Sequence, residues 1–159
     1  MLQVESGYQK REEREARAYA LRLLTRRTYS SVELMDKLQR KGYPSVICQN
    51  TIAFLQGIGY LNDCELAQRE AIRCLERCLG PKRVRLRLRQ RGLPDDLMAG
   101  ISEYEFREAC LAAAKKRLRT LPANLDPLRM RAKLCYYLER RGFSWDDIGW
   151  VLKELSIET

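Results

Sequence analysis

The residues whose chemistry is most evident form a basic run in the middle of the chain. Within ten residues it contains six cations and no acid: Lys82, Arg83, Arg85, Arg87, Arg89 and Arg91. Guanidinium groups bind carboxylates and phosphates through paired N–H donors. On a helix, Arg83, Arg87 and Gln90 would lie near one face. Because mutual repulsion of so many cations destabilises a fold unless an anionic partner or counter-ions offset it, the run is predicted to bind an anionic partner.

Two further sets of basic residues are weaker candidates for the same chemistry. One is a cluster later in the chain, made of Lys115, Lys116, Arg117 and Arg119. The other consists of the pairs Arg40-Lys41 and Arg140-Arg141, each directly before a glycine. A cation in the last turn of a helix is favoured by the helix dipole, so capping is the first role expected of these pairs and anion binding the second.

Acidic pairs are the nearest approach to a catalytic motif. Asp95-Asp96 and Asp146-Asp147 stand at comparable places, each shortly after the start of a predicted helix, where a carboxylate is favoured by the dipole. The chain has no histidine, no phosphate-binding glycine loop and no nucleophile-elbow pattern. Capping explains the acids better than metal binding does, and the sequence predicts no catalytic residues and no enzyme activity.

Cysteines are the remaining candidate ligands, and there are six of them. Zinc sites usually combine C-x-x-C pairs or histidines at short spacing, and this sequence has neither. Only Cys74 and Cys78 stand one helical turn apart. The thiols are therefore interpreted as reduced side chains of a cytosolic protein, and no metal or other cofactor is predicted.

The overall charge limits the classes of partner. Among 159 residues, 30 are Lys or Arg and 21 are Asp or Glu, which gives a net charge of +9. Such a balance favours polyanionic partners. No apolar run approaches the ~18–20 residues that span a bilayer, and residues 1–17 are charged without an apolar signal core. We therefore expect a cytoplasmic protein that does not bind membranes, and a monomer by default.

A repeat of fifty residues organises the chain. The segments LMDKLQRKGY, VRLRLRQRGL and LCYYLERRGF begin at Leu34, Val84 and Leu134, and they align without gaps. Their shared positions include a central leucine, a cation, a glycine and a following apolar residue. This pattern predicts an amphipathic helix that ends in a left-handed glycine, followed at once by a second helix.

A third helix is predicted before each repeated segment, at about Glu12–Arg27, Cys64–Leu79 and Phe106–Leu121. Capping patterns at Ser30 and Ser144 and prolines in first helical turns agree with this reading. We therefore expect an all-α chain of three three-helix repeats, at residues 5–60, 61–104 and 105–159, packed as an elongated, curved array. Most aromatic side chains at helix ends or apolar positions are expected to be packed; these are Tyr60, Tyr136, Phe143, Trp145 and Trp150.

The order of these motifs resembles the RecX family of regulatory proteins over roughly residues 15–155. The resemblance rests on these residues in order: Ser30, Glu33-Leu34, Lys37-Leu38, Lys41-Gly42, Gly59–Asp63, Gly80–Val84, Leu88, Arg91–Leu93, Tyr137-Leu138 and Arg140–Phe143. Asn62 departs from the acidic residue that the family more often has there, although it can still cap a helix.

The resemblance implies a protein that binds the RecA recombinase in its filament on single-stranded DNA. It implies inhibition of strand exchange, ATP hydrolysis and the coprotease activity of the SOS response, and so a role in regulating DNA repair and recombination. We predict that reversing Arg83 and Arg87 to Glu reduces this inhibition without unfolding the chain. The alternative is a helix-turn-helix-like protein that binds duplex DNA directly, with affinity that falls steeply with salt.

Overall fold

The chain is all-helical in the part that a computed structural model describes, residues 2–94 and 101–157. The helices are α1 Leu2–Leu24, α2 Ser31–Lys41, α3 Ser45–Gly57, α4 Asp63–Glu76, α5 Pro81–Gln90, α6 Glu103–Leu118, α7 Pro127–Arg140 and α8 Trp145–Glu154. The described residues include no strand, so the predicted all-α class is confirmed. The helix expected after Pro94-Asp95, and the pair Asp95-Asp96, lie outside the described residues.

Local signals place the helix ends where the sequence predicts them. Ser30 accepts a hydrogen bond from the backbone N–H of Glu33, and the Glu33 side chain accepts one from the Ser30 N–H, which makes a capping box at the start of α2. Ser144 and Asp147 do the same for α8. Gly42 and Gly142 follow their helices in the left-handed region, with φ of 100° and 88°, where a side chain is disfavoured.

Contacts divide the chain into two compact units. Unit 1 contains the residues up to Leu66 together with Arg91–Leu93, and unit 2 contains Ala67–Gln90 and the chain from Pro94 onward. In unit 1, helices α1, α2 and α3 pack around a core that includes Leu34 and Leu38. In unit 2, α6, α7 and α8 pack around a second core. The boundaries of the three predicted repeats, and the predicted elongated array, stay predictions.

Some aromatic side chains that were expected to be packed are exposed, and the apolar stripe of α7 explains why Tyr136 is one of them. Leu134 and Leu138 are fully buried and Phe143 is buried behind them. Tyr136 lies two residues from each leucine, which places it off the stripe on a helix of 3.6 residues per turn, and it is exposed. Tyr60 and Trp145 are exposed as well. Three of the five aromatic side chains are therefore exposed, and the prediction that most of them are packed was wrong.

The cysteines are free thiols, and four of the six are buried. Burial raises the pKa of Cys110 to about 12. Because α4 ends at Glu76, Cys78 is not on the same helix as Cys74 and has a left-handed backbone with φ of 53°. Within the described residues, no three His, Cys, Asp or Glu side chains are grouped closely enough to hold a metal ion. Nor is any helix of the described part long and apolar enough to cross a bilayer.

Candidate anion-binding surface

The basic run forms helix α5, and one of its faces borders a groove with α4. Arg83, Arg87 and Gln90 all line this α4–α5 groove, which confirms that they share a face. The groove has a volume of about 390 Å³. Its other lining residues are Glu70, Arg73, Cys74, Glu76, Arg77, Leu79 and Leu86. The helix start at Pro81 and the buried residues Val84 and Leu88 fix which side of α5 faces outward.

A buried glutamate partly neutralises the α4–α5 groove. Glu70 lies on α4 with its side chain only 7% exposed, and one carboxylate oxygen is 3.2 Å from Nε of Arg87. Its other oxygen is 3.6 Å from Nη1 of Arg73. The basic run thus meets an acid that comes from another helix. Arg87 consequently supports the fold as well as contributing charge, and reversing its charge would disturb both.

The rest of the basic run divides into exposed and buried members. Lys82, Arg85 and Arg89 are exposed on α5. Arg83 is exposed too, and its Nε donates a hydrogen bond to the carbonyl oxygen of Arg140 at 3.0 Å. Of the six predicted cations, only Arg91 is buried.

Arg91 belongs to unit 1, where it forms what we call the first joint. Its guanidinium donates to both oxygens of Glu33, with Nε 3.2 Å from Oε1 and Nη2 2.8 Å from Oε2. Nη2 also donates to the carbonyl oxygen of Thr28 at 2.9 Å. In return, the carbonyl oxygen of Arg91 accepts from the hydroxyl of Ser30 at 2.5 Å. Within unit 1, Arg91 thus binds both the residues that precede α2 and the carboxylate in its first turn.

Electrostatics at the first joint favour the ionised pair. Burial by itself would raise the pKa of Glu33. Hydrogen bonds from Arg91 and from the Ser30 backbone, together with the charges of Arg91 and Arg27, outweigh it and lower the pKa below its ordinary value. The carboxylate therefore stays charged beside Arg91 at neutral pH.

A second joint, in unit 2, has the same pattern of hydrogen bonds around an arginine fifty residues later in the sequence. Nη1 of Arg141 donates to the carbonyl oxygens of Arg77 at 2.6 Å and Cys78 at 3.1 Å. The carbonyl oxygen of Arg141 accepts from the N–H of Gly80 at 2.9 Å. In the fifty-residue repeat, Arg141 corresponds to Arg91 and Cys78 to Thr28. Repeat symmetry thus extends from the sequence to the hydrogen bonds that Arg91 and Arg141 each make.

Three of the predicted basic clusters meet in a second groove of unit 2, between α6 and α7. This α6–α7 groove has a volume of about 620 Å³ and includes Arg83 from the basic run, Arg117 from the second cluster, and the pair Arg140-Arg141. Its remaining lining residues are Leu79, Lys133, Tyr136 and Tyr137. No acid is among the residues that line it.

Arginine side chains in the α6–α7 groove pack against its tyrosine rings. The guanidinium carbons of Arg117 and Arg141 lie 5.4 and 5.0 Å from the ring centroid of Tyr137. That of Arg140 lies 5.6 Å from the centroid of Tyr136. Within the described residues, Nε of Arg117 is buried without a hydrogen-bond partner. The distances from the three guanidinium carbons to the tyrosine rings are short enough for cation–π attraction, which holds these arginine side chains in place.

Sequence reasoning missed three residues of this groove: Lys133, Tyr136 and Tyr137. A signal for them existed, since Lys133, the tyrosine pair and Arg140 follow one another at spacings of three or four residues, which is the spacing of one helix face.

The remaining candidate cations lie outside the α6–α7 groove. Lys115 and Arg119 are exposed on or just after α6. Nζ of Lys116 lies 3.6 Å from Sγ of Cys78. In unit 1, Nε of Arg40 is 2.9 Å from a carboxylate oxygen of Asp36, and Nζ of Lys41 is 5.8 Å from the ring centroid of Tyr19.

Comparisons with known proteins agree with this repeat architecture. Residues 16–55 match the family described as RecX, first three-helix domain, and residues 103–152 match RecX, third three-helix domain. Regulatory protein RecX of Chlorobaculum tepidum is 36% identical over 85% of this chain and 84% of its own length. The chain belongs to the RecX family. Regulatory protein RecX of Legionella pneumophila is 32% identical over 86% of this chain and 91% of its own length.

Solved structures support the fold assignment for this RecX family member. The crystal structure of RecX from Lactobacillus salivarius is similar with a TM-score of 0.81, at 20% identity, over 94% of this chain and 99% of that one. A crystal structure described as regulatory protein RecX is similar with a TM-score of 0.78, also at 20% identity, over 95% of this chain and 76% of that one. The relatives' names describe regulatory proteins rather than enzymes.

Proposed function

We propose that this protein binds the RecA filament on single-stranded DNA and inhibits the recombinase, ATPase and coprotease activities of RecA. It would thereby regulate DNA repair, recombination and the SOS response. It acts by binding rather than catalysis, as a cytoplasmic monomer. Membership of a family whose relatives are named regulatory proteins supports this role. The observation that supports a particular binding surface is that residues of three basic clusters line one groove, and that no acid lines it.

The proposed binding surface consists of the α6–α7 groove and the exposed cations of α5. Lys82 and Arg85 are exposed and lie three residues apart on α5. Arg91 is left out, because its guanidinium is buried against Glu33. Arg141 contributes charge to the groove but is also held by backbone carbonyls. A nucleoprotein filament offers both phosphates and acidic side chains, and arginine binds both.

The DNA-dependent ATPase of RecA on single-stranded DNA tests this function directly. We expect inhibition when this protein is added well below one molecule per RecA subunit, since action on filament growth or stability needs few molecules. Absence of inhibition at every ratio would reject the proposal. Inhibition only at amounts that coat the DNA would instead favour direct competition for phosphate, as in the DNA-binding alternative.

Charge reversal tests the surface. The double change Lys82→Glu and Arg85→Glu is expected to raise the concentration needed for half-inhibition about 10-fold. Each exposed ion pair contributes up to ~1 kcal/mol, and about 1.4 kcal/mol in total corresponds to a tenfold change. The matched control is Arg129→Glu with Lys153→Glu, which changes the net charge equally at exposed positions of α7 and α8. Equal loss in both double variants would mean that net charge, not this surface, determines inhibition.

A further inference from the structure

The two grooves of unit 2 are equivalent in the repeat but differ in chemistry. Four α5 residues of the α4–α5 groove correspond, fifty positions later, to four α7 residues of the α6–α7 groove. The pairs are Arg83 with Lys133, Leu86 with Tyr136, Arg87 with Tyr137 and Gln90 with Arg140. The same face of the same repeated helix therefore lines a groove in each case, and the side chains decide what each groove can bind.

Charge is the first difference. The α4–α5 groove includes Glu70 and Glu76, and Glu70 lies within 3.6 Å of two arginines. The α6–α7 groove has five cations among its lining residues and no acid. Within the described part of the chain, none of those five cations forms an ion pair. The groove therefore keeps a positive potential that favours an anionic ligand.

Aromatic surface is the second difference. Tyr136 is 61% exposed although it stands on a well-formed helix. In the other two repeats, the corresponding residues are Asp36 and Leu86, so the exposed ring is specific to α7. The guanidinium carbon of Arg140 lies over the ring of Tyr136, 5.6 Å from its centroid, so a cation stands next to an exposed aromatic ring. Cations interleaved with exposed aromatic rings are typical of proteins that bind single strands by stacking bases and neutralising phosphates.

We propose that the α6–α7 groove binds a short segment of single-stranded nucleic acid directly. Lys133 and Arg140 contact its phosphates, and one base stacks on Tyr136. A duplex keeps its base faces inside its own stack, so it could use the cations but not the ring. An acidic peptide would likewise satisfy the cations without needing the ring. The ligand is free nucleic acid, so the inference does not depend on RecA.

Fluorescence anisotropy of a short labelled oligothymidylate, titrated with this protein in the absence of RecA, tests the site. Tyr136→Ala should weaken binding about 5-fold or more, because losing one stacked base costs ~1–3 kcal/mol. Tyr136→Phe keeps the ring and should restore binding. The matched control is Tyr104→Ala, since Tyr104 is a similarly exposed tyrosine, at 66%, on α6 and outside the groove.

Salt dependence tests the cations of the groove. Lys133→Ala should reduce the slope of log affinity against log salt by about 0.7, the value for one phosphate contact on a single strand. Lys153→Ala, an exposed lysine on α8, is the control and should leave the slope unchanged. Circular dichroism should confirm that each variant keeps the helical content of the wild type.

Three results would each overturn the proposal. The first is unchanged oligothymidylate binding by Tyr136→Ala. The second is equal weakening of single-strand and duplex binding by Tyr136→Ala, which would mean that the ring does not contact an unpaired base. The third is displacement of the oligothymidylate by polyglutamate as readily as by unlabelled oligothymidylate, which would indicate a site for acidic protein. Because RecA is absent, none of these results changes the outcome of the ATPase experiment.

Discussion

Arg91 and Glu33 lie 58 residues apart in the sequence and form a two-point ion pair, with side chains only 8% and 22% exposed. Two parallel N–H···O bonds give such a pair direction as well as attraction. The same carboxylate completes the capping box of α2. Within unit 1, one glutamate therefore both caps the start of α2 and binds the guanidinium of Arg91.

Arg91→Ala should destabilise the protein by about 3 kcal/mol, because it leaves a partly buried carboxylate and the carbonyl of Thr28 without their donor. Arg40→Ala is the matched control. It removes the ion pair with Asp36, which has a similar 2.9 Å separation but is exposed at 74% and 49%, and should cost less than about 1 kcal/mol. Urea denaturation measures both changes, and similar losses would contradict a structural role for Arg91.

Lowering the pH should weaken the ion pair between Arg91 and Glu33. The pKa of Glu33 is lower in the folded chain than its ordinary value of 4.5, so near that pH the unfolded chain binds more protons than the folded one. The stabilisation is then fully present above about pH 4.5 and is lost as the pH falls through the folded pKa. Glu33→Gln, which keeps a hydrogen-bond acceptor for the cap, should flatten this part of the stability curve.

Urea midpoints measured at a series of acid pH values check this expectation. Glu103→Gln is the control, because Glu103 is an exposed glutamate in the first turn of α6. It should leave the slope of stability against pH close to that of the wild type. If Glu33→Gln left the slope unchanged as well, the acid dependence would have to come from other carboxylates.

The glycines that end the repeated helices should differ in how they tolerate alanine. Gly42 has φ of 100° and open space around it, so Gly42→Ala adds only the backbone cost of about 1–2 kcal/mol. At Gly142, with φ of 88°, an added Cβ would also lie 2.7 Å from the backbone nitrogen of Arg83. Overpacking of this kind adds about 1–3 kcal/mol. Equal losses in thermal or urea unfolding would show that the crowding at Gly142 relaxes.

Features that depend on neighbouring residues could be predicted from the sequence. The capping boxes at Ser30 and Ser144, and the left-handed glycines, involve residues at most a few positions apart, and their hydrogen bonds are largely specified by residue type. The repeat of fifty places the left-handed glycine three times, at Gly42, Gly92 and Gly142. Helix ends and helical class were therefore predictable with elementary rules.

Features that depend on how helices pack could not be predicted in the same way. Within the basic run, Arg85 and Arg91 look equivalent, yet one is exposed and the other buried against Glu33. Nothing local indicates that Glu70, on α4, approaches Arg87 on α5. The α6–α7 groove likewise gathers residues from separate helices, so its lack of acid becomes visible only when these helices are placed.

Arg87 shows how such a contact changes the design of an experiment. Its Nε lies 3.2 Å from a carboxylate oxygen of Glu70, which is buried. Arg87→Glu would replace this attraction with repulsion between two carboxylates and should cost about 2 kcal/mol. Arg85→Glu, at an exposed position two residues earlier, should stay within about 0.5 kcal/mol of the wild type. Urea denaturation of the two variants compares the positions directly.

Adding Glu70→Gln to Arg87→Glu should recover part of the lost stability, because it removes the repulsion while keeping a polar group of similar shape. A coupling energy of about 1 kcal/mol or more in this double-mutant cycle would establish the contact. No coupling would mean that Arg87→Glu acts elsewhere. If the two changes are coupled, a loss of RecA inhibition in Arg87→Glu would reflect both lower stability of the fold and a changed binding surface. The exposed residue Arg85, unlike Arg87, therefore tests the binding surface alone.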